Sequence, residues 1–172
     1  MQKNKNIWLI FSSLFTALIC IFSQISIPTP IMPITLQTFA ISLLGFTLPI
    51  KYSLFSVLAY ILLGGIGVPV FSNFSGGFHH LVGQNGGFIF GFIVLSLFCS
   101  ISAKFETDFK RLCFGFLGII IMTVCGIFYF CFFTHTKILS LVNLIFVFMF
   151  LKDIFLCFLA YFISKYIKKR TS

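Results

Sequence analysis

The sequence predicts an all-α membrane protein, a bundle of six transmembrane helices with both termini in the cytoplasm. Three observations carry that prediction. Of the 172 residues, 59% are hydrophobic and only 9% are charged, against about 25% charged in a soluble domain. So little polar surface cannot cover a water-soluble globule. The apolar residues fall into runs long enough to be spans, and the cations are shared unequally between the connections.

The first span covers roughly residues 7–25. Lys3 and Lys5 precede it as in a signal peptide, but no A-x-A-like cleavage site follows, so a retained helix is expected. The second, about 36–49, is short, and the third runs about 52–66. The fourth and fifth are placed at about 86–103 and 112–134. The last apolar tract, 138–164, exceeds the roughly 20 residues a straight span needs. It is expected to break near 148–152 or to begin with a short outer helix at 138–148, with the span itself at 149–167. Lys3, Lys5, Lys51, Lys104, Lys110, Arg111, Lys165, Lys168, Lys169 and Arg170 then lie on one face, and only Lys137 and Lys152 lie on or near the other. Because Lys and Arg are retained in the cytoplasm, that face is the inner one.

Several classes of function are excluded. The 27 phenylalanines do not alternate with basic residues as a nucleic-acid stacking surface would, so no nucleic-acid partner is expected. The basic tail 166–170 suits anionic lipid head groups instead, which makes membrane lipid a partner. No G-x-x-x-x-G-K-[ST] loop occurs, and Val70 stands where a dinucleotide motif beginning at Gly65 would need glycine. His79 and His80 are adjacent and do not share one metal from a helical face, and His135 has no acid nearby. No metal and no cofactor are expected. Cys20, Cys99, Cys113, Cys125, Cys131 and Cys157 contain no C-x-x-C pair and read as small, reduced apolar fillers.

One residue breaks the pattern. Glu106 and Asp108 sit in a polar loop, whereas Asp153 sits in "FMFLKDIFLCFL", residues 148–159. Lys168 lies 15 residues later, about 22 Å along a helix, which puts Asp153 in the outer third of a hydrocarbon core about 30 Å thick. An acid at that depth faces protein or a cavity rather than lipid. Successive helix residues point about 100° apart, so Lys152 is expected to snorkel towards the head groups rather than to pair with Asp153. The residues leave two roles open for Asp153: a hydrogen bond to a neighbouring helix, or acceptance of N–H groups from a polar ligand.

Two irregular segments share the outer face with it. Residues 23–38, "SQISIPTPIMPITLQT", carry Pro28, Pro30 and Pro33, which forbid a helix. Residues 64–91 hold nine of the 13 glycines, a sign of backbone lying close to something. Acid, glycine loop and proline loop at one mouth make a small-molecule site near the outer face. The candidate binding residues are Asp153, Lys152, Gln37, Tyr60, Asn73, His79 and Asn85. On the first span Ser13 and Ala17, and likewise Ser12, Thr16 and Cys20, lie four apart. Small residues at that spacing admit another helix, either from this chain or from a partner protein.

The stretches "ISIPTPIMPITLQTFAISLLG", "YILLGGIGVPVF", "SGGF" and "GQNGGFIFGF" resemble, in order and spacing over roughly residues 7–165, the signatures of the BioY family. These are the biotin-specific substrate-binding (S) components of energy-coupling-factor (ECF) transporters. The resemblance implies a six-helix fold that holds the vitamin under the first and third loops. It also implies work with a transmembrane coupling protein and a pair of cytoplasmic ATPases. The small-residue face of the first span is similar to the face the family offers its coupling protein, with Ser13, Ala17, Thr16 and Cys20 as candidate contacts. The family's last helix carries an aspartate followed three residues later by lysine. Asp153 matches the aspartate, Leu156 stands at the lysine position, and Lys152 replaces a usual glycine. Gln84-Asn85 replaces a usual proline-threonine pair. The resemblance implies that Asp153 accepts the ureido N–H groups, and that Lys152, His79 or glycine-loop N–H groups meet the valerate carboxylate.

The expectation is a single S-component domain over residues 1–172 in the cell membrane. It takes up biotin from outside, delivers it with the coupling protein and ATPases, and is not an enzyme. The alternatives are an S component of the same fold for another small vitamin, or a small membrane enzyme, for which the chain offers no acid–base or nucleophile cluster at one depth.

Overall fold

Proline sets the first helix boundary inside the bundle. Pro49 pushes the residue before it out of the helical region, and Leu48 is extended at φ −94°, ψ 152°. The computed structural model describes residues 2–29, 33–135 and 144–171. Helix α1 (Gln2–Gln24) leads into an antiparallel pair, β1 (Ser26–Ile27) and β2 (Ile34–Thr35). Then follow α2 (Gln37–Thr47) and α3 (Ile50–Gly65), a loop with a 3-10 turn at Ser72–Phe74, and the short α4 (Phe78–Val82). The chain closes with α5 (Gly86–Ser102), α6 (Asp108–Thr134) and α7 (Leu144–Thr171).

Three segments among the described residues are long and apolar enough to cross a membrane: Asn6–Gln24, Asp108–Thr134 and Val147–Lys169. Helices α2, α3 and α5 are shorter and also apolar. The outer surface is greasy, with Leu14, Ile21, Leu62, Phe128, Phe132 and Phe155 all exposed. A helical bundle apolar both inside and out is a multi-pass membrane protein.

Helix α2 is the centre of the bundle. Every residue from Gln37 to Phe46 is buried, with α1, α5 and α7 packed around it. Helices α5 and α6 pack side by side through small residues. A Cβ on Gly87 would lie 2.4 Å from Tyr129 Cβ, and one on Gly91 would lie 2.7 Å from Met122 Cγ. Gly87 and Gly91 form the small-xxx-small spacing that lets two membrane helices approach closely.

The last helix corrects an expectation. Helix α7 runs unbroken through 148–152. At 1.5 Å per residue its 28 residues span about 42 Å, so the excess over the hydrocarbon core projects beyond it rather than forcing a kink. Of the expected outer helix at 138–148, residues 138–143 lie outside the described residues, as do Pro30 and Lys137. All six cysteines are free, with Cys99 and Cys157 buried.

Candidate functional site

The glycine-rich loop is tied down before it can shape anything. Ser23 at the end of α1 donates to Val70 O at 2.6 Å, and Gln24 Nε2 donates to Phe71 O at 3.1 Å. Gln24 Oε1 in turn accepts from Phe74 N at 2.9 Å. Gly64 lets the loop fold back on α3, since a Cβ there would lie 2.1 Å from Phe71 Cζ. The Phe71 ring meets Tyr60 edge-on, at 5.5 Å between centroids and 79° between planes.

Under this loop and β2 lies a cavity with about 630 Å³ of empty space, its open mouth included. Helix α2 begins at its floor with Gln37 and Thr38, and α5 begins beside it after Asn85. Phe88, Ile89 and Phe92 of α5, Met122 of α6 and Met149 of α7 give it apolar walls. Tyr60, Phe71 and His80 close another side.

The polar groups form a chain. Thr35 Oγ1 donates to Gln37 Oε1 at 3.0 Å, and Gln37 Nε2 donates to the Tyr60 hydroxyl. Lys152 donates to Thr35 O at 2.6 Å. Its Nζ also lies 2.8 Å from Asp153 Oδ1. That contact is an ion pair, and it compensates the buried Asp153 Oδ1 by charge. Asn85 Oδ1 is buried with no hydrogen-bond partner among the described residues. A buried acceptor left without a donor costs about 1–3 kcal/mol, so the cavity presents one open acceptor, Asn85 Oδ1, beside the Asp153 carboxylate.

Five of the seven candidate binding residues come together here: Asp153, Lys152, Gln37, Tyr60 and Asn85. Two do not. Asn73 is exposed, in the left-handed region at φ 59°, and its Oδ1 accepts from Ser26 Oγ at 2.9 Å; it fastens the loop to β1. His79 is exposed, its ring 4.1 Å from that of His80 between centroids and tilted by 42°. Successive residues on α4 point different ways, and His80 is the one that faces the cavity. Burial first, then the neighbouring His79, holds His80 below the ordinary histidine value. The expectation that Lys152 snorkels away from Asp153 is also corrected. Its four-methylene stem curls inward because Thr35 O and the Asp153 carboxylate both lie within its reach.

The small residues of α1 divide into two rows. Ser12 and Thr16 are buried against α3, with Ser12 Oγ 2.9 Å from Ser56 Oγ and Thr16 donating to Ser12 O and Ser56 O. Thr16, a candidate partner contact, thus spends its hydroxyl inside the chain. Ser13 and Ala17 are exposed, and with Thr16 and half-buried Cys20 they line a shallow groove between α1 and α3.

Thr35, Thr38, Phe71, His80 and the apolar walls were not anticipated. Only the i, i+4 spacing of Phe88 and Phe92 offered a signal in the sequence.

Comparison with known proteins follows the same outline. The BioY family profile matches residues 1–172. Biotin transporter BioY of Thermotoga maritima is 41% identical over 128 residues, 74% of this chain and 76% of that protein. Biotin transporter BioY2 of Lactococcus lactis subsp. cremoris is 35% identical over 138 residues, 78% and 75% of the two chains. The crystal structure of the S-component for biotin from an ECF-type ABC transporter aligns with a TM-score of 0.87 at 26% identity, covering 98% of this chain and 94% of that one.

Proposed function

This chain belongs to the BioY family, and from that premise we propose that it is the S component of an ECF transporter, binding biotin from outside and passing it inward. It works with a transmembrane coupling protein and ATPase subunits, and it performs no bond chemistry of its own.

One observation carries the reading at the level of the site: the buried Asp153 carboxylate and Asn85 Oδ1, the latter without a hydrogen-bond partner among the described residues, line a single cavity. The ureido ring of biotin supplies two N–H groups of the complementary kind. An N–H donated to the Asp153 carboxylate is charge-assisted and correspondingly strong. The fused rings then lie against Phe88, Phe92 and the thioethers of Met122 and Met149, which adapt to irregular shapes.

Leu156, at the family's lysine position, is buried in the core and does not line the cavity. Lys152 supplies the site's cation from the other side of Asp153. Held at the ureido end by Asp153 and Thr35 O, it must release Thr35 to serve the valerate carboxylate.

The test is binding of labelled biotin to purified protein in detergent, competed with biotin, biotin amide and other vitamins. Tight binding of biotin supports the reading. Preference for a vitamin other than biotin assigns the cavity to that ligand instead.

A further inference from the structure

The opposite end of the bundle holds a second concavity, a cleft with about 250 Å³ of empty space, its open mouth included. It forms where α2 and α5 end, α6 begins and the last turns of α7 pass by. Phe46 is its floor, and the small side chains of Ser102, Ala103 and Ser164 leave it open. Three cations line it: Arg111 from the first turn of α6, and Lys165 and Lys168 one turn apart on α7. Arg111 is anchored, its Nε donating to Phe105 O at 2.7 Å.

The carboxylate beside the cleft is already engaged. Asp108 accepts from Lys165 Nζ through one oxygen and from the Tyr161 hydroxyl at 2.6 Å through the other. Among the described residues Asp108 is the one carboxylate beside these three cations, so the cleft carries net positive charge. Exposed aromatic side chains adjoin the cleft's residues along the chain: Phe109 beside Asp108 on α6, and Phe162 and Tyr166 beside Tyr161 and Lys165 on α7, at 73%, 50% and 59% exposure. The ligand that suits this place has an anionic head and long apolar chains. Basic pockets between membrane helices recognise lipid head groups in this way.

We propose that this cleft binds the phosphate of an anionic membrane lipid, with Arg111 and Lys168 on the head group and the acyl chains along the exposed aromatic flank of α6 and α7. The phosphate chemistry is shared with free inorganic phosphate. The lipid is favoured because exposed aromatic side chains neighbour the cleft's residues on both α6 and α7.

The experiment uses the full chain in mild detergent and reads lipid retention by native mass spectrometry. The probes are phosphatidylglycerol, phosphatidylcholine with the same acyl chains, and inorganic phosphate. The expected result is preferential retention of phosphatidylglycerol, weakened roughly tenfold or more in Arg111→Ala/Lys168→Ala and kept in Arg111→Lys/Lys168→Arg. If the double alanine variant does not fold, Lys168→Gln alone carries the same comparison. Equal retention of the two lipids, or unchanged phosphatidylglycerol binding in the variants, overturns the proposal. Displacement of phosphatidylglycerol by inorganic phosphate at similar concentration overturns the lipid assignment in favour of a soluble anion. Biotin binding at the far end is a separate readout, so failure of the one assignment is distinguishable from failure of the other.

Discussion

Lys152 Nζ lies 2.8 Å from the carboxylate of its immediate neighbour, Asp153, with side-chain exposures of 14% and 8%. An ion pair this enclosed is costly to break from one side only, because the remaining charge stays buried; such losses run to about 3–5 kcal/mol. Lys152→Met is therefore expected to lower the thermal unfolding temperature in detergent markedly. Adding Asp153→Asn, which removes the stranded charge, recovers much of the loss. A double variant less stable than Lys152→Met would show that the pair does not set the stability.

The Asp153 carboxylate and the partnerless Asn85 Oδ1 give the ligand-binding prediction. Asp153→Ala and Asn85→Ala each weaken biotin binding by about 1–3 kcal/mol, measured by isothermal titration on folded protein. Asn73→Ala and His79→Ala, whose side chains lie outside the cavity, leave it within a few-fold. Unchanged affinity in Asp153→Ala removes that residue from the site.

Packing between α5 and α6 gives a third. Gly91→Leu forces atoms into the space of Met122, whose Cγ and O lie 2.7 and 3.2 Å from the added Cβ. Overpacking of this kind costs about 1–3 kcal/mol or more. Because Met122 lines the cavity, biotin affinity is expected to fall together with the unfolding temperature. A stable Gly91→Leu protein with normal affinity would mean that the two helices separate without cost.

His80 sets a pH dependence. Its folded-state value lies below the ordinary one, so as pH falls the unfolded chain takes up the proton first. Above about pH 7 both states are neutral at this group and it has no effect. Stability is lost as pH drops through the ordinary histidine range towards the lower folded value. Unfolding temperatures measured at about pH 7 and about pH 5 should differ more in the wild type than in His80→Gln. An equal difference in the two proteins would mean that His80 does not titrate in this way.

The bundle was readable because each helix is an apolar run bounded by prolines, glycines or charges. Asp153 and Gln37 were readable as polar residues out of place. Asn85 drew notice through Gln84-Asn85 standing where the family has a proline-threonine pair. What stayed hidden had no contrast. Phe71, Phe88 and Phe92 do not stand out among 27 phenylalanines, and composition cannot tell inward from lipid-facing rings. His79 and His80 are chemically identical, so only the phase of α4 decides which one faces the cavity. The inward turn of Lys152 depends on a carbonyl 117 positions away, beyond any local pattern.

The brevity of α2 has a geometric consequence. Eleven residues make a rod of about 16 Å, roughly half the depth of the hydrocarbon core. Its longer neighbours continue past its first turn and stand like the staves of a barrel around a stump. The hollow they enclose needs no lining of its own; it is the room left by the missing upper turns. Extending that stump by two turns towards the outer leaflet would fill the hollow and dissolve β2, taking Thr35 and its carbonyl away from Lys152.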